Sequence, residues 1–417
     1  MPGLTPELTD VFALFDHYLD GRADHPVGVA VSGGGDSVAL LYQLAEWGRR
    51  PLHVFSVDHG INPLSGQWTA GVARHAQAAG AKFTALRWAG EKPSTGVSAA
   101  ARTARHALLA DAARAAGVRV LCLAHTADDI TEARLMRAQG SSVGAPALWS
   151  PSPAWPEGRG VFLFRPLLER RRADLRAWLR SRDLAWIDDP ANDNPASLRA
   201  RARKTLAGQA DTTAVGSVPS MPDVTMPSPL GAAGLIRLDS ERLRALPQET
   251  ALRIVSAAAV CAGGRDRLPR RDSVERALDA LRSGNIATLC GARIASGVVV
   301  RDFGDIGRNG QPELELEAGR EAVWDGRFVL RAARSCTVRS SGDVRSGLPE
   351  ADRAVLRTMP ARLRTVLPTV DFGRGPVLAS SLTGDHCGTV SAECLVMPRF
   401  LAATGAVTRE SDLAGDV

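Results

Sequence analysis

Six consecutive residues, Ser32-Gly33-Gly34-Gly35-Asp36-Ser37, combine three glycines, two hydroxyls and one carboxylate. Glycines let a backbone approach an anion closely, and their successive N–H groups can form a concave nest. The loop lies between a β-branched run ending at Val31 and an apolar, helically spaced stretch from Val38 to Trp47. A helix N-terminus would therefore point its partial positive charge at the same anion, and phosphate binding is the expected chemistry. No lysine follows as it does in G-x-x-x-x-G-K-[ST], and the glycines are not spaced as in G-x-G-x-x-G. Asp36 places a carboxylate among phosphate donors, which is unfavourable unless a divalent cation lies between them, so Asp36 is a candidate metal ligand.

Other residues could complete such a site. Asp129 and Glu132, in Ala124-His125-Thr126-Ala127-Asp128-Asp129-Ile130-Thr131-Glu132, stand at i and i+3 in the first turn of an expected helix. Their carboxylates can face the same way and bind a metal or a cationic substrate. Acids at a helix start also serve capping and the dipole, so capping remains open. Arg102 and Arg105, again i and i+3, can clamp a carboxylate or a phosphate, or form a solvated face. Asp58, in Val57-Asp58-His59-Gly60, closes the second strand where a nucleoside would lie, although a turn explains it equally well. Arg199, Arg201 and Arg203, followed by Lys204, spread positive charge around one segment; an RNA backbone is its natural partner and a solvated charge run the alternative.

These residues need a frame that gathers them. Leu8, Val11, Phe12, Phe15, Tyr18 and Leu19 predict an opening amphipathic helix. Strands follow at Val27 to Val31, Leu52 to Val57, Phe83 to Trp88, Val118 to Ala124 and Val161 to Phe164, alternating with helices near 38–48, 66–80, 97–116, 127–138 and 170–182. This rhythm predicts an α/β fold with a doubly wound, parallel five-stranded sheet and its ligands at the carboxyl ends of the strands. The phosphate loop, Asp58 and the Asp129–Glu132 pair all fall at such ends.

At 417 residues, two or three domains are expected: 1–207, then a linker or insertion at 208–235 rich in Ala, Ser, Thr, Gly and Pro, a small α+β domain at 236–335, and a short unit at 340–417 whose last dozen residues are expected to be mobile. A net charge of +6 suggests an anionic partner. Six cysteines without a C-x-x-C pair point to a reducing compartment and show no metal-cluster or disulfide framework. With no leader and no long apolar run, a cytoplasmic protein without a membrane partner is expected.

The loop Ser32-Gly33-Gly34-Gly35-Asp36-Ser37 resembles the S-G-G-x-D-S loop of the N-type ATP pyrophosphatases, also called the PP-loop superfamily. The ordered set S-G-G-G-D-S, V-D-H-G, A-A-R-x-x-R, A-H-T-A-D-D-x-x-E, R-P-L-L and D-P-A-N-x-N…R-x-R-x-R, over about 1–207, is similar to that of the tRNA(Ile)-lysidine synthase family, with a fainter likeness from Leu243 to Leu330. The resemblance implies that ATP adenylates the C2 oxygen of the wobble cytidine in a CAU anticodon, and that the ε-amine of free L-lysine then displaces AMP. On that likeness Ser32, Gly33, Gly34, Gly35, Asp36, Ser37 and Asp58 bind ATP, with Mg2+ shared by Asp36. Asp129 and Glu132 attract the lysine ammonium and take its proton, and Arg102 meets the lysine carboxylate or a phosphate. Asn192 positions the reacting base, and Arg199, Arg201 and Arg203 hold the tRNA backbone.

The chain departs from the family pattern at Ser98, His106, Thr126, Ile130, Ala133 and Gln139. The oligomeric state stays open, a homodimer among the options. The rival readings are a PP-loop tRNA cytidine 2-sulfurtransferase, which would need paired cysteines, and a non-catalytic nucleotide-dependent RNA-binding protein, which would not need carboxylates beside a polyanion.

Overall fold

A computed structural model of the chain describes residues 6–62, 64–140, 144, 146–188, 201–202, 205, 222–223, 225–226, 228, 230–310, 313–379 and 389–414. The chain forms two compact units, Met1–Pro219 with Val407–Val417, and Ser220–Ala406.

In the first unit, Val27–Ala30 (β1) is a central strand, following the helix Pro6–Tyr18 (α1). It pairs in parallel with Leu52–Asp58 (β2), register Val27 to Leu52 through Ala30 to Phe55, and with Val120–Cys122 (β4) on its other side. Val27, Val29 and Val31 are buried on one face of the sheet, where Gly35–Trp47 (α2) and α1 cover them. Gly28 points to the other face; a Cβ there would lie 2.8 Å from Val118 and 3.0 Å from Leu121, so glycine lets that layer close against the strand. Val97–Ala115 (α4) covers this second face through Leu109 and Ala113.

Adding Ser65–Ala78 (α3), Lys82–Arg87 (β3), Ala127–Ala138 (α5), Trp149–Pro151 (β5), Phe162–Phe164 (β6) and Arg172–Arg180 (α6) gives the sheet order β3-β2-β1-β4-β6-β5. The five expected parallel strands are present, and β5 adds a sixth, antiparallel to β6. Its three residues include a proline and carry no alternation; aromatic stacking of Trp149 on Phe162 and Tyr18, at 5.3 and 5.7 Å between centroids, holds it there. The winding reverses between β1 and β4, and a crevice forms at the carboxyl edge of such a switch point. The loop after β1 and the start of α5 after β4 therefore stand side by side.

The segment from Val407 returns to this unit. Trp149 Nε1 donates to the Val407 carbonyl, and Glu410, almost fully buried, accepts hydrogen bonds from Arg50 Nη1 at 3.1 Å and the Asp20 N–H at 2.8 Å, with His25 Nε2 2.9 Å away. This segment, where mobility was expected, is tied down because Glu410 neutralises a buried arginine.

The second unit is built on the apolar helix Gln248–Gly263 and three antiparallel sheets. Phe328–Ala332 pairs with Val390–Cys394, and Cys336–Ser340 pairs with both Glu313–Leu316 and Pro368–Asp371. Strand pairing therefore crosses the boundary expected at 335–340 and makes Ser220–Ala406 one body. At its centre Arg301 forms a two-pronged ion pair with Asp325 at 2.8 and 2.9 Å, and Arg327 Nε shares the same carboxylate. Asp305 Oδ2 accepts from Arg301 Nη1 at 2.6 Å, so two buried arginines meet two buried carboxylates, a structural arrangement.

Candidate active site

The phosphate loop is held open by its own serines. Ser37 Oγ donates to the Gly34 carbonyl at 2.8 Å and accepts from the Ser32 N–H at 3.2 Å, closing the turn into α2. Gly33 sits at φ +90, a conformation that favours glycine. Ile187, beyond α6, donates its N–H to the Gly33 carbonyl at 2.9 Å, and its Cδ1 lies 2.6 Å from where a Cβ on Gly33 would be. Ile187 thus occupies the carbonyl and Cα side of the turn. Among the described residues, the N–H groups of Gly33, Gly35 and Asp36 have no acceptor, as a helix start aimed at an anion requires.

Asp36 follows this nest. Burial raises its pKa, with Arg172 pulling the other way. Asp36 Oδ1 is buried with no hydrogen-bond partner among the described residues, while Oδ2 accepts from Arg172 Nε at 3.0 Å. An orphaned carboxylate oxygen beside unpaired amides fits a divalent cation brought in with phosphates. Among the described residues no set of three or more His, Cys, Asp or Glu side chains could hold a metal alone, so phosphate oxygens and water would supply most ligands.

Asp129 and Glu132 are both buried. Asp129 divides its oxygens: Oδ2 accepts from the Thr126 N–H at 2.8 Å and from its hydroxyl at 3.2 Å, fixing the start of α5, while Oδ1 accepts from Arg172 Nη2 at 3.4 Å. Glu132 Oε1 accepts from Arg172 Nη1 at 3.3 Å. The expected pair therefore meets Asp36 of the loop around one guanidinium. Arg172 was not singled out by its spacing, since Arg170-Arg171-Arg172 reads as a solvated run. Its place is set by α6, which buries Leu175, Trp178 and Leu179 at i, i+3 and i+4, each contributing roughly 1.5–3 kcal/mol, and so turns Arg172 toward the loop. Asp128, also unremarked in the sequence, accepts the Arg172 backbone N–H at 2.8 Å and joins the starts of α5 and α6. Burial acts to lower the pKa of Arg172, but Asp36, Asp129 and Glu132 outweigh it and raise the value, so the cation is permanent.

Asp58 ends β2 at the same sheet edge and accepts the Gly60 N–H at 2.7 Å; that bond holds its carboxyl below the usual range. The turn expected there is real, and it presents an ionised group. Arg102 is exposed on α4, with Arg105 one turn on. Both act electrostatically on His106, which is buried with Nε2 lacking a described partner; burial first, then Arg105, Arg102 and Arg165, push its pKa down to about 3. Burial also lowers Arg165 to about 10. Arg201 is helical and exposed, whereas Asn192, Arg199 and Arg203 lie outside the described residues. Of the positions departing from the family pattern, Thr126 binds Asp129, Ile130 and Ala133 are buried apolar contacts, and Ser98 and Gln139 are exposed.

Comparison with known proteins bears on this arrangement. The PP-loop domain family matches residues 8–210. A tRNA(Ile)-lysidine synthase of Caulobacter vibrioides is 40% identical over 418 residues, spanning 97% of this chain and 99% of the relative. Enzymes of that name from Hyphomonas neptunium and Rhizobium meliloti are 38% and 33% identical, over 71% and 84% of this chain and 86% and 83% of their own lengths.

Proposed function

The chain belongs to the tRNA(Ile)-lysidine synthase family, and on that premise we propose how its site joins free L-lysine to the wobble cytidine of a CAU-anticodon tRNA at the expense of ATP. The Ser32–Ser37 nest holds the polyphosphate while the C2 oxygen of cytidine attacks the α-phosphorus; the oxygen–phosphorus bond forms and pyrophosphate leaves. Asp36 would hold Mg2+, which when bound neutralises charge on the leaving pyrophosphate. Asp58 lies on the nucleoside side at the next strand end.

The second step needs lysine to arrive as an ammonium and attack as an amine. Asp129 and Glu132 bind the cation and take its proton, and the free ε-nitrogen bonds to C2 as AMP departs with the C2 oxygen. Arg102 meets the carboxylate of lysine or a phosphate, Asn192 positions the base, and Arg199, Arg201 and Arg203 hold the tRNA backbone. The reaction takes place in the cytoplasm, where tRNA, ATP and free lysine occur together.

The observation that carries this reading is that one guanidinium touches the carboxylate of the phosphate loop and both acids of the neighbouring strand end. Nucleotide binding alone needs no such pair of extra carboxylates. The test is ATP–pyrophosphate exchange with and without a CAU-anticodon tRNA, followed by incorporation of labelled lysine. Exchange that depends on this tRNA, with lysine then entering it, is expected; lysine-independent thiolation of the tRNA would overturn the reading.

A further inference from the structure

Arg172 stands between the two halves of the proposed reaction. Its Nε reaches Asp36 on the nucleotide side, and its Nη1 and Nη2 reach Glu132 and Asp129 on the amine side. A guanidinium held by the two carboxylates that must receive the lysine ammonium competes with that substrate. It cannot retreat by losing its proton, because a guanidinium stays charged in a protein. It can leave only by moving, and its setting favours that. The backbone of Arg172 is fixed independently by Asp128, so side-chain rotation alone redirects the charge. The guanidinium contacts are 3.0, 3.3 and 3.4 Å, long for charge-assisted hydrogen bonds. Beside it lie the N–H groups of Gly33, Gly35 and Asp36, which have no acceptor among the described residues; a polyphosphate there would bring several anionic oxygens, the preferred partners of arginine.

We propose that Arg172 gates the amine subsite: without nucleotide it occupies Asp129 and Glu132, and polyphosphate bound at the Ser32–Ser37 loop draws its guanidinium away so that these acids accept the ammonium of lysine. The gate rests on lysine being the second substrate. It makes binding ordered, nucleotide before amine, and it keeps the general-base carboxylates covered until an acceptor can be activated. A ligand shifts such an equilibrium only by its difference in affinity for the two states, and here that difference is the phosphate–guanidinium contact. Arg172 is a positioning residue in this scheme, since it acts through Asp129 and Glu132.

The test measures binding of labelled lysine to the full chain by equilibrium dialysis, with and without a non-hydrolysable ATP analogue and Mg2+. In the wild type the analogue is expected to tighten lysine binding about tenfold or more, within the usual range of coupling between sites. Arg172→Gln is expected to bind lysine about tenfold more tightly than wild type without nucleotide, because the competitor is gone, with less than a twofold further gain from the analogue. A permanent structural counter-ion would give the opposite, a variant that binds lysine more weakly, and that result overturns the gate. Lysine binding by the wild type that ignores the analogue overturns it as well, whether or not the variant folds. Lysine that fails to bind in any state, with nucleotide and tRNA present, overturns the reaction itself, a different failure.

Discussion

Asp129 answers at residue scale a question that spacing left open, whether acids at a helix start cap the helix or do chemistry. One oxygen secures Thr126 and the other faces Arg172, so capping fixes the oxygen that the proposed reaction would use. His106 is the opposite case, a titratable side chain where the family pattern has an aromatic. Its pKa is about 3 in the folded protein against 6.5 for the free side chain, so between these values the unfolded chain holds more protons and stability falls as pH drops. The melting temperature of the wild type is expected to decline between pH 7 and pH 5. His106→Phe, which keeps the ring and loses no described Nε2 hydrogen bond, should flatten part of that decline; an unchanged slope would contradict the assignment. Residue types and local spacing singled out Asp36, Asp129 and Glu132, which the fold brings together at Arg172. Arg172 and Asp128 were not, because their roles arise only where the starts of α5 and α6 meet.

Among elements, the strand-to-helix turns carry the site, and their placement follows from sheet order. Alternating apolar runs and helices were enough to predict five parallel strands and to put three motifs at their carboxyl ends. The antiparallel β5 was not readable, since three residues held by aromatic stacking have no period. Nor was the contact of Ile187 with Gly33, which joins residues far apart in sequence. That contact yields a prediction for the loop. Gly33→Ala must adopt φ +90 at a strain of roughly 1–3 kcal/mol and displace Ile187, so it should raise the KM for ATP in pyrophosphate exchange at least about tenfold. It should leave the far-ultraviolet circular dichroism of the fold intact. An unchanged KM would show that the cradle does not depend on this geometry.

For the whole molecule, the chain clusters into two compact units, and the segment from Val407 belongs with the first of them. The Val407–Ala414 segment is too short and mixed to reveal itself, yet Glu410 provides the carboxylate for a fully buried Arg50. Glu410→Gln keeps the shape and leaves that charge uncompensated, so it should cost about 3–5 kcal/mol and lower Tm measurably in a thermal melt. Binding of the RNA substrate belongs to this scale too. Replacing Arg199, Arg201 and Arg203 together by alanine should weaken tRNA binding and reduce the slope of log affinity against log salt by about 2–3, while ATP affinity stays within roughly twofold. The central claim is that two successive reactions share one site, with Asp36 serving the first and the acids of α5 the second. The most direct measurement compares tRNA-dependent ATP–pyrophosphate exchange with labelled-lysine incorporation in Asp36→Asn and Glu132→Gln. Asp36→Asn should lose both by about 100-fold or more; Glu132→Gln should keep exchange within several-fold and lose lysine incorporation by about 100-fold. Equal loss of exchange in the two variants would contradict it.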